Sequence, residues 1–401
     1  MTTHVFIVDK DTFPTHLKYM FAGTGFKDND INLNDSEEID LNPTVEKTIV
    51  GLLSDIKRVR VGDKIIFYLT QIAKTEGKFF GIFKIKNHEP LVFHEREGRY
   101  LLNSLNKQLI FRTLLEPMEV YPVGVTEWEA LDNIEDVEKP KDLIWSLIYR
   151  KLKGNRGCTP ITNEEAEKLI YLIKEKNENQ CLENHNNLNF DNGRQEIIND
   201  DEEPTTYDPS KTREGLNIFP LMKLRHDQGR SHEVHLQTYI TENSGKDNNA
   251  LNEITGRNSN IIWMGNEVSC GVGMQKIDIF SIVLINDEKE FRVTELKSVY
   301  ATSDITRQLK RYVDWTVLFI DDADIEKIQP IIVSLKIPDN SRSSKRKYEI
   351  PERQRFSAFF QSLIDSLNQF NTGNNCKPIR FFEYSINEGD ITFEEFDYDA
   401  R

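Results

Sequence analysis

Asp278 and the run Glu295-Leu296-Lys297 carry the side chains in this sequence whose types and spacing suit chemistry best. Glu295 and Lys297 lie two apart in the apolar stretch EFRVTELKSV, and residues two apart on an extended strand point to the same side. Asp278 sits in a second apolar run, KIDIFSIVLI. The turn-like NDEK at 286–289 joins the two, so an antiparallel hairpin brings the three side chains together. An isolated charge is costly to bury on such a strand. Two converging carboxylates are hard oxygen ligands for Mg²⁺ or Mn²⁺, and a cation between them removes the cost of holding them close. A metal so placed polarises a phosphoryl oxygen and acidifies a bound water, while a lysine ammonium holds the nucleophile or stabilises charge developing at phosphorus. Asp, Glu and Lys thus suffice for phosphodiester hydrolysis. The plainer alternative is a solvated strand end closed by a salt bridge.

The elements that must position these groups are legible as periodicity. DITRQLKRYVDW follows the Glu-x-Lys strand at once; Gln308 and Tyr312 fall four apart on one helix face, while Ile305, Leu309 and Val313 form a core-facing stripe. Upstream, GRSHEVHLQTYITEN places Val234, Leu236 and Ile240 on a helix that Ser231 could cap, with Glu233 and Gln237 sharing one face. NIIWMGNEVSCGVGMQKIDIFSIVLI reads as two strands separated by glycines. WTVLFI reads as a further strand, and IQPIIVSLKIP and PIRFFEYSI read as strands flanking the helix QRFSAFFQSLIDSLNQF.

Asp278, Glu295-Leu296-Lys297 and this layout resemble the PD-(D/E)XK nuclease superfamily, the restriction-endonuclease-like fold, with Ile277 where the signature's name has proline. Gln308 and Tyr312 resemble the QxxxY motif of RecB-type nucleases. The likeness covers roughly 225–320 and is strongest to the C-terminal nuclease domains of NucS-like endonucleases. It implies an α/β/α core with a mixed sheet, and catalysis by Asp278, Glu295 and Lys297. It further implies that Gln308 and Tyr312 orient the lysine, water or phosphate, and that Glu233 joins Asp278 and Glu295 at the metal. A helix-surface glutamate with no such task is the alternative for Glu233.

At 401 residues, 38% of them hydrophobic, the chain has room for two or three domains of roughly 100–200 residues each. A charge of −15 argues against a protein that coats nucleic acid over its whole surface, though not against a local basic cleft. No apolar run approaches the ~20 residues of a membrane helix, and the first residues lack a signal-peptide layout, so a cytoplasmic protein is expected. Cys158, Cys181, Cys270 and Cys376 show no ligand spacing and are expected to be reduced. The stretch 176–214, rich in Asn, Asp and Glu, reads as a linker between domains at 1–175 and 215–401.

The first of these domains reads as strand-rich with short helices. VGDKIIFYL and GKFFGIFKI resemble PUA-superfamily modules of the EVE and YTH-like branch, which implies a curved β-barrel that can hold a modified base. A plain barrel without ligand is the alternative. Phe13, Tyr68, Trp128 and Trp145 could stack on bases or could be core. Arg150, Lys151, Lys153 and Arg156 gather before a capping signal, Thr162 with Glu165, and suit phosphate contacts or else form a solvated charge run.

The combined expectation is an α+β reader followed by an α/β nuclease: a Mg²⁺- or Mn²⁺-dependent endonuclease acting on DNA, modified DNA included, in restriction or phage defence. An RNase with the same site, and a protein that binds nucleic acid or bridges partners without cutting, are the alternatives. A homodimer is left open, and no membrane partner is expected.

Overall fold

The computed structural model describes residues 1–26, 43–71, 76–95, 100–131, 138–144, 157–214, 217–246, 250–270, 275–337 and 358–398. The chain divides into two units, Met1–Asn217 and Ile218–Arg401. Among the described residues no helix is long and apolar enough to cross a membrane.

The first unit is a mixed α+β fold. Its strands are β1 (Thr3–Val8), β2 (Phe21–Phe26), β3 (Lys64–Leu69), β4 (Lys78–Ile85), β5 (Phe93–Glu95), β6 (Gln108–Pro117), β7 (Val125–Thr126), β8 (Cys158–Ile161), β9 (Leu188–Asp191), β10 (Glu196–Asn199) and β11 (Thr212–Glu214). Interspersed are helices α1 (Phe13–Tyr19), α2 (Pro43–Lys57), α3 (Leu102–Leu105), α4 (Glu127–Leu131) and α5 (Asn163–Lys176). A curled half-barrel sheet runs β11-β5-β6-β4-β3-β1-β8, with β2 on β6 and β7 on β4. Its central strands are apolar almost without a break because both faces are covered. Leu169 and Ile173 of α5 pack on Val5, Ile66 and Phe79, while Phe13 of α1 meets Phe67, Phe80 and, from β9, Phe190. Thr162 and Glu165 cap α5 reciprocally, as their spacing predicts.

The linker expected across 176–214 is instead folded into this unit. β9 and β10 form a hairpin with Phe190 and Ile197 buried, and Tyr207 packs edge-on against Phe21, Phe93 and Tyr100. The dense Asn and Asp is turn chemistry: Asp191 accepts from the amides of Gly193 and Arg194 at 2.7 and 3.0 Å.

In the second unit, α6 (Phe219–Asp227), α7 (Glu233–Asn243) and α8 (Leu251–Thr255) precede β12 (Ile261–Ser269), β13 (Lys276–Ile285) and β14 (Glu288–Lys297). Then come α9 (Ile305–Phe319), β15 (Ile328–Leu335), α10 (Ala358–Gly373), β16 (Arg380–Ile386) and β17 (Ile391–Glu395). The six strands pair in sequence order; β14, β15 and β16 run parallel and the other neighbours antiparallel. Asn286 and Asp287, both at positive φ, close the β13–β14 hairpin with the turn that suits its twist. On one face Leu236 and Ile240 of α7 and Ile254 of α8 pack on Ile279, Leu296, Ile331 and Val333. On the other, Phe280 meets Trp315 of α9.

Two expectations are corrected in this unit. WTVLFI is not a strand: α9 continues through Phe319, because Trp315 and Thr316 extend the buried stripe of Leu309, Tyr312 and Val313 with no breaker between. Ser231 does not cap α7, whose N-cap is His232 with no capping side-chain bond.

Candidate active site

The β13–β14 ladder stops at Ile279 opposite Thr294. One step further in the same register sets Asp278 opposite Glu295, and like charges directly opposite on a sheet repel. Something must therefore compensate at this strand end. Asp278 Oδ2 accepts from the Leu296 amide at 2.7 Å, a carboxylate standing in for a ladder carbonyl. Glu295 is 1% exposed; Oε1 pairs with Lys297 Nζ, and Oε2 accepts from the Tyr312 hydroxyl at 2.7 Å. Gln308 Nε2 donates to that hydroxyl at 3.2 Å, so the two residues four apart on α9 act on Glu295 in series.

Electrostatics divides these groups by role. Burial, and then the facing Glu295, hold the Asp278 carboxyl well above the usual carboxylate range. Burial works against the Lys297 ammonium, yet Glu295, Glu233 and Asp278 together hold it above its ordinary value, so it is a fixed cation and a donor. Burial and both carboxylates raise the Tyr312 phenol, which stays protonated. Burial, reinforced by Glu295, pushes the Cys270 thiol up to about 12, which removes it as a nucleophile.

Asp278, Glu295, Lys297, Gln308 and Tyr312 are thus gathered at one sheet end, the first three expected there from spacing and the last two from the QxxxY resemblance. Glu233 opens α7 and raises both Asp278 and Lys297 electrostatically. Among the described residues, however, no group of three or more His, Cys, Asp or Glu side chains closes around a point. What stands here is the Asp278–Glu295 pair. Its chemistry fits Mg²⁺ or Mn²⁺: two hard carboxylates held against their own repulsion suit a hard dication that completes its shell with waters and substrate oxygens.

Sequence reasoning missed a supporting layer behind Lys297. Tyr384 of β16 donates to the Lys297 carbonyl at 3.2 Å, and its hydroxyl lies 2.8 Å from His232 Nε2. The Ser231 and Ser298 hydroxyls meet at 3.2 Å. His232 adjoins Glu233 and could have been noticed; Tyr384, 87 positions from Lys297 inside an apolar run, gave no signal.

In the first unit, Arg150, Lys151, Lys153, Arg156 and Trp145 lie outside the described residues. Phe13 and Tyr68 are core, the Tyr68 hydroxyl donating to Glu127 at 2.8 Å, whereas Trp128 is 62% exposed on α4. The Gly62-Asp63 turn is a knot: Gly62 takes φ 85°, and Asp63 accepts from the amides of Thr2 and Arg60 and meets His4 Nε2 at 2.9 Å.

No family model matches the chain, and no curated protein does. Among solved structures, a hypothetical protein from Leishmania major aligns over 44% of this chain and 96% of its own, at 11% identity and a TM-score of 0.28. Human THYN1 protein in complex with 5-methylcytosine containing DNA aligns over 43% and 98%, at 9% identity and a TM-score of 0.25.

Proposed function

We propose that Ile218–Arg401 is a divalent-cation-dependent nuclease of the PD-(D/E)XK kind. Met1–Asn217, in the same reading, is the module that directs it to DNA, modified DNA included, in a restriction or phage-defence role. The observation that carries the reading is the convergence of Asp278 and Glu295 at one strand end, Asp278 on the Leu296 amide next to Glu295, with Lys297 paired to Glu295 and Tyr312 holding it. The element order α7, β12, β13, β14, α9, β15 supports it, since it sets the helix glutamate, the aspartate strand, the Glu-x-Lys strand and the Gln…Tyr helix in the sequence the superfamily resemblance implies. The reader assignment rests on VGDKIIFYL and GKFFGIFKI within a curled sheet, and on the basic run 150–156 for phosphate contact.

A divalent cation held by Asp278 and Glu295 would supply Lewis-acid polarisation of the scissile phosphate and a more acidic water. Lys297, protonated throughout, orients the attacking water and offsets negative charge that develops on the phosphoryl oxygens. Tyr312 fixes the Glu295 carboxylate in one orientation, and Gln308 fixes Tyr312.

A second reading, a module that binds nucleic acid without cutting it, is favoured by one observation: both Glu295 oxygens are already engaged, by Lys297 and Tyr312. The test is incubation of the purified chain with Mg²⁺ or Mn²⁺ and a panel of modified DNA, unmodified DNA and RNA. Cleavage of DNA that stops with EDTA is expected. Cutting of RNA alone moves the substrate class, undiminished cutting in excess EDTA overturns the metal, and binding without any cutting favours the second reading.

A further inference from the structure

The paired register passes over Asp278 on both of its sides. Toward β14 the pairing ends at Ile279, and the Leu296 amide goes to the Asp278 side chain. Toward β12 the register passes from Asn266 opposite Ile279 to Val268 opposite Ile277, stepping over Glu267 and Asp278. Glu267 takes φ 46° there, a conformation few non-glycine residues adopt inside a strand. The Asp278 main-chain carbonyl instead accepts from Gln237 Nε2 at 2.9 Å, reached from α7. Gln237 Oε1 in turn accepts from Asn266 Nδ2 at 3.2 Å. Gln237 is 4% exposed and Asn266 is fully buried, so two amides sit on the apolar α7 side of the sheet, where burying them is costly without a bonding task.

We propose that Gln237 and Asn266 form a positioning pair for the candidate site: Asn266 orients the Gln237 amide, and Gln237 holds the Asp278 carbonyl, which aims the Asp278 carboxylate at the Leu296 amide beside Glu295. The pair stands behind the carboxylates and touches neither substrate nor metal. Its consequence for catalysis rests on the nuclease reading above. Its consequence for the geometry of the strand end does not.

Gln237→Met keeps the length and volume of the side chain and deletes both bonds. Three readouts on the full chain separate the possibilities. Hydrogen exchange of the peptide containing Leu296 is expected to speed up about tenfold, because its amide is bound to the side chain that Gln237 positions, while exchange in β16 is unchanged. Mn²⁺ affinity measured by calorimetry is expected to fall about 10–100-fold, the usual loss when an outer partner of a metal ligand is removed. Single-turnover cleavage at subsaturating metal is expected to fall in parallel and to recover in excess Mn²⁺, a recovery that mere loss of folded protein would not give. Asn266→Ala is expected to act in the same direction and more weakly, and the double variant to cost no more than Gln237→Met alone, since both act through one chain of bonds. Unchanged exchange at Leu296, or effects that add in the double variant, overturns the proposal. A wild-type chain that neither binds Mn²⁺ nor cuts overturns the nuclease reading instead, and the exchange measurement still decides the pair.

Discussion

Both units bury ionisable side chains, and they treat them differently. In the first, Arg112 is 1% exposed and donates to the carbonyls of Leu109 and Tyr100 and to the Tyr207 hydroxyl at 2.8–2.9 Å, with the rings of Phe21, Tyr100 and Tyr207 within 5.3–6.0 Å of its guanidinium. Asp63 likewise collects two amides and His4. The second unit closes one cation in the same manner, since Arg292 is held by Glu290 and the carbonyls of Asn252 and Glu253. At the open end of β13 and β14 it does the reverse. Two carboxyl groups converge, Asp278 on the Leu296 amide beside Glu295, and one lysine pairs with one of them. A closed network returns its desolvation cost as a single well-defined structure; in the proposed reading, the carboxyl that the lysine leaves unpaired is one a cation would complete. The comparison therefore separates polar groups closed for architecture from those that the nuclease reading assigns to chemistry.

The sharpest way to break that comparison is to remove a group from each side. Lys297→Met keeps the apolar stem and deletes the ammonium; the cleavage step is expected to slow about 100-fold or more, with DNA binding in Ca²⁺ unchanged. Gln308→Ala is expected to slow the same step less, because it acts on Glu295 only through Tyr312. Wild-type cutting by Lys297→Met would make the lysine an ordinary ion-pair partner. Arg112→Leu should do the opposite: it leaves the carbonyls of Leu109 and Tyr100 without their donor, costing about 1–3 kcal/mol of stability in chemical denaturation, while the cleavage rate per folded molecule stays as it was.

A smaller effect sharpens the contrast through pH. His16 is buried, its Nδ1 2.8 Å from the Phe21 carbonyl, and burial lowers its pKa from 6.5 to about 4. A depressed histidine favours the neutral form, so its contribution is present above about pH 6.5 and is lost as pH falls toward 4. Asp278 runs the other way. Its folded value is raised above the ordinary 3.8, so in metal-free protein its penalty is absent below that value and grows as pH rises through the raised one. Asp278→Asn in EDTA is therefore expected to raise Tm at pH 8, by about 2–4 °C per kcal/mol relieved, with the gain vanishing near pH 4. A gain that is the same at both pH values would contradict the like-charge opposition.

Much of the second unit was legible because its signals are local. The Glu-x-Lys spacing, the Asn286-Asp287 turn and the Gln308…Tyr312 interval each fix geometry within a few residues, and each leads to the place the structure gives it. The helix continuing through WTVLFI was misread because an apolar run of six carries no period of its own. Residues 176–214 were misread as a linker because polarity marks turns as well as disorder, and the anchors that fold the segment, Phe190, Ile197 and Tyr207, are spaced too widely to make a pattern. Tyr384 and Asn266 could not be found at all, since their partners come from elements distant in sequence.

A bound cation is the central claim of the proposed reading, and it can be measured without any assumption about substrate. Mn²⁺ titrated calorimetrically into the full wild-type chain should give a saturable binding event that disappears in Asp278→Ala, with both proteins equally folded by circular dichroism. Identical isotherms for wild type and Asp278→Ala would show that the opposed carboxylates hold no metal, and would leave the strand end as a salt bridge between Glu295 and Lys297.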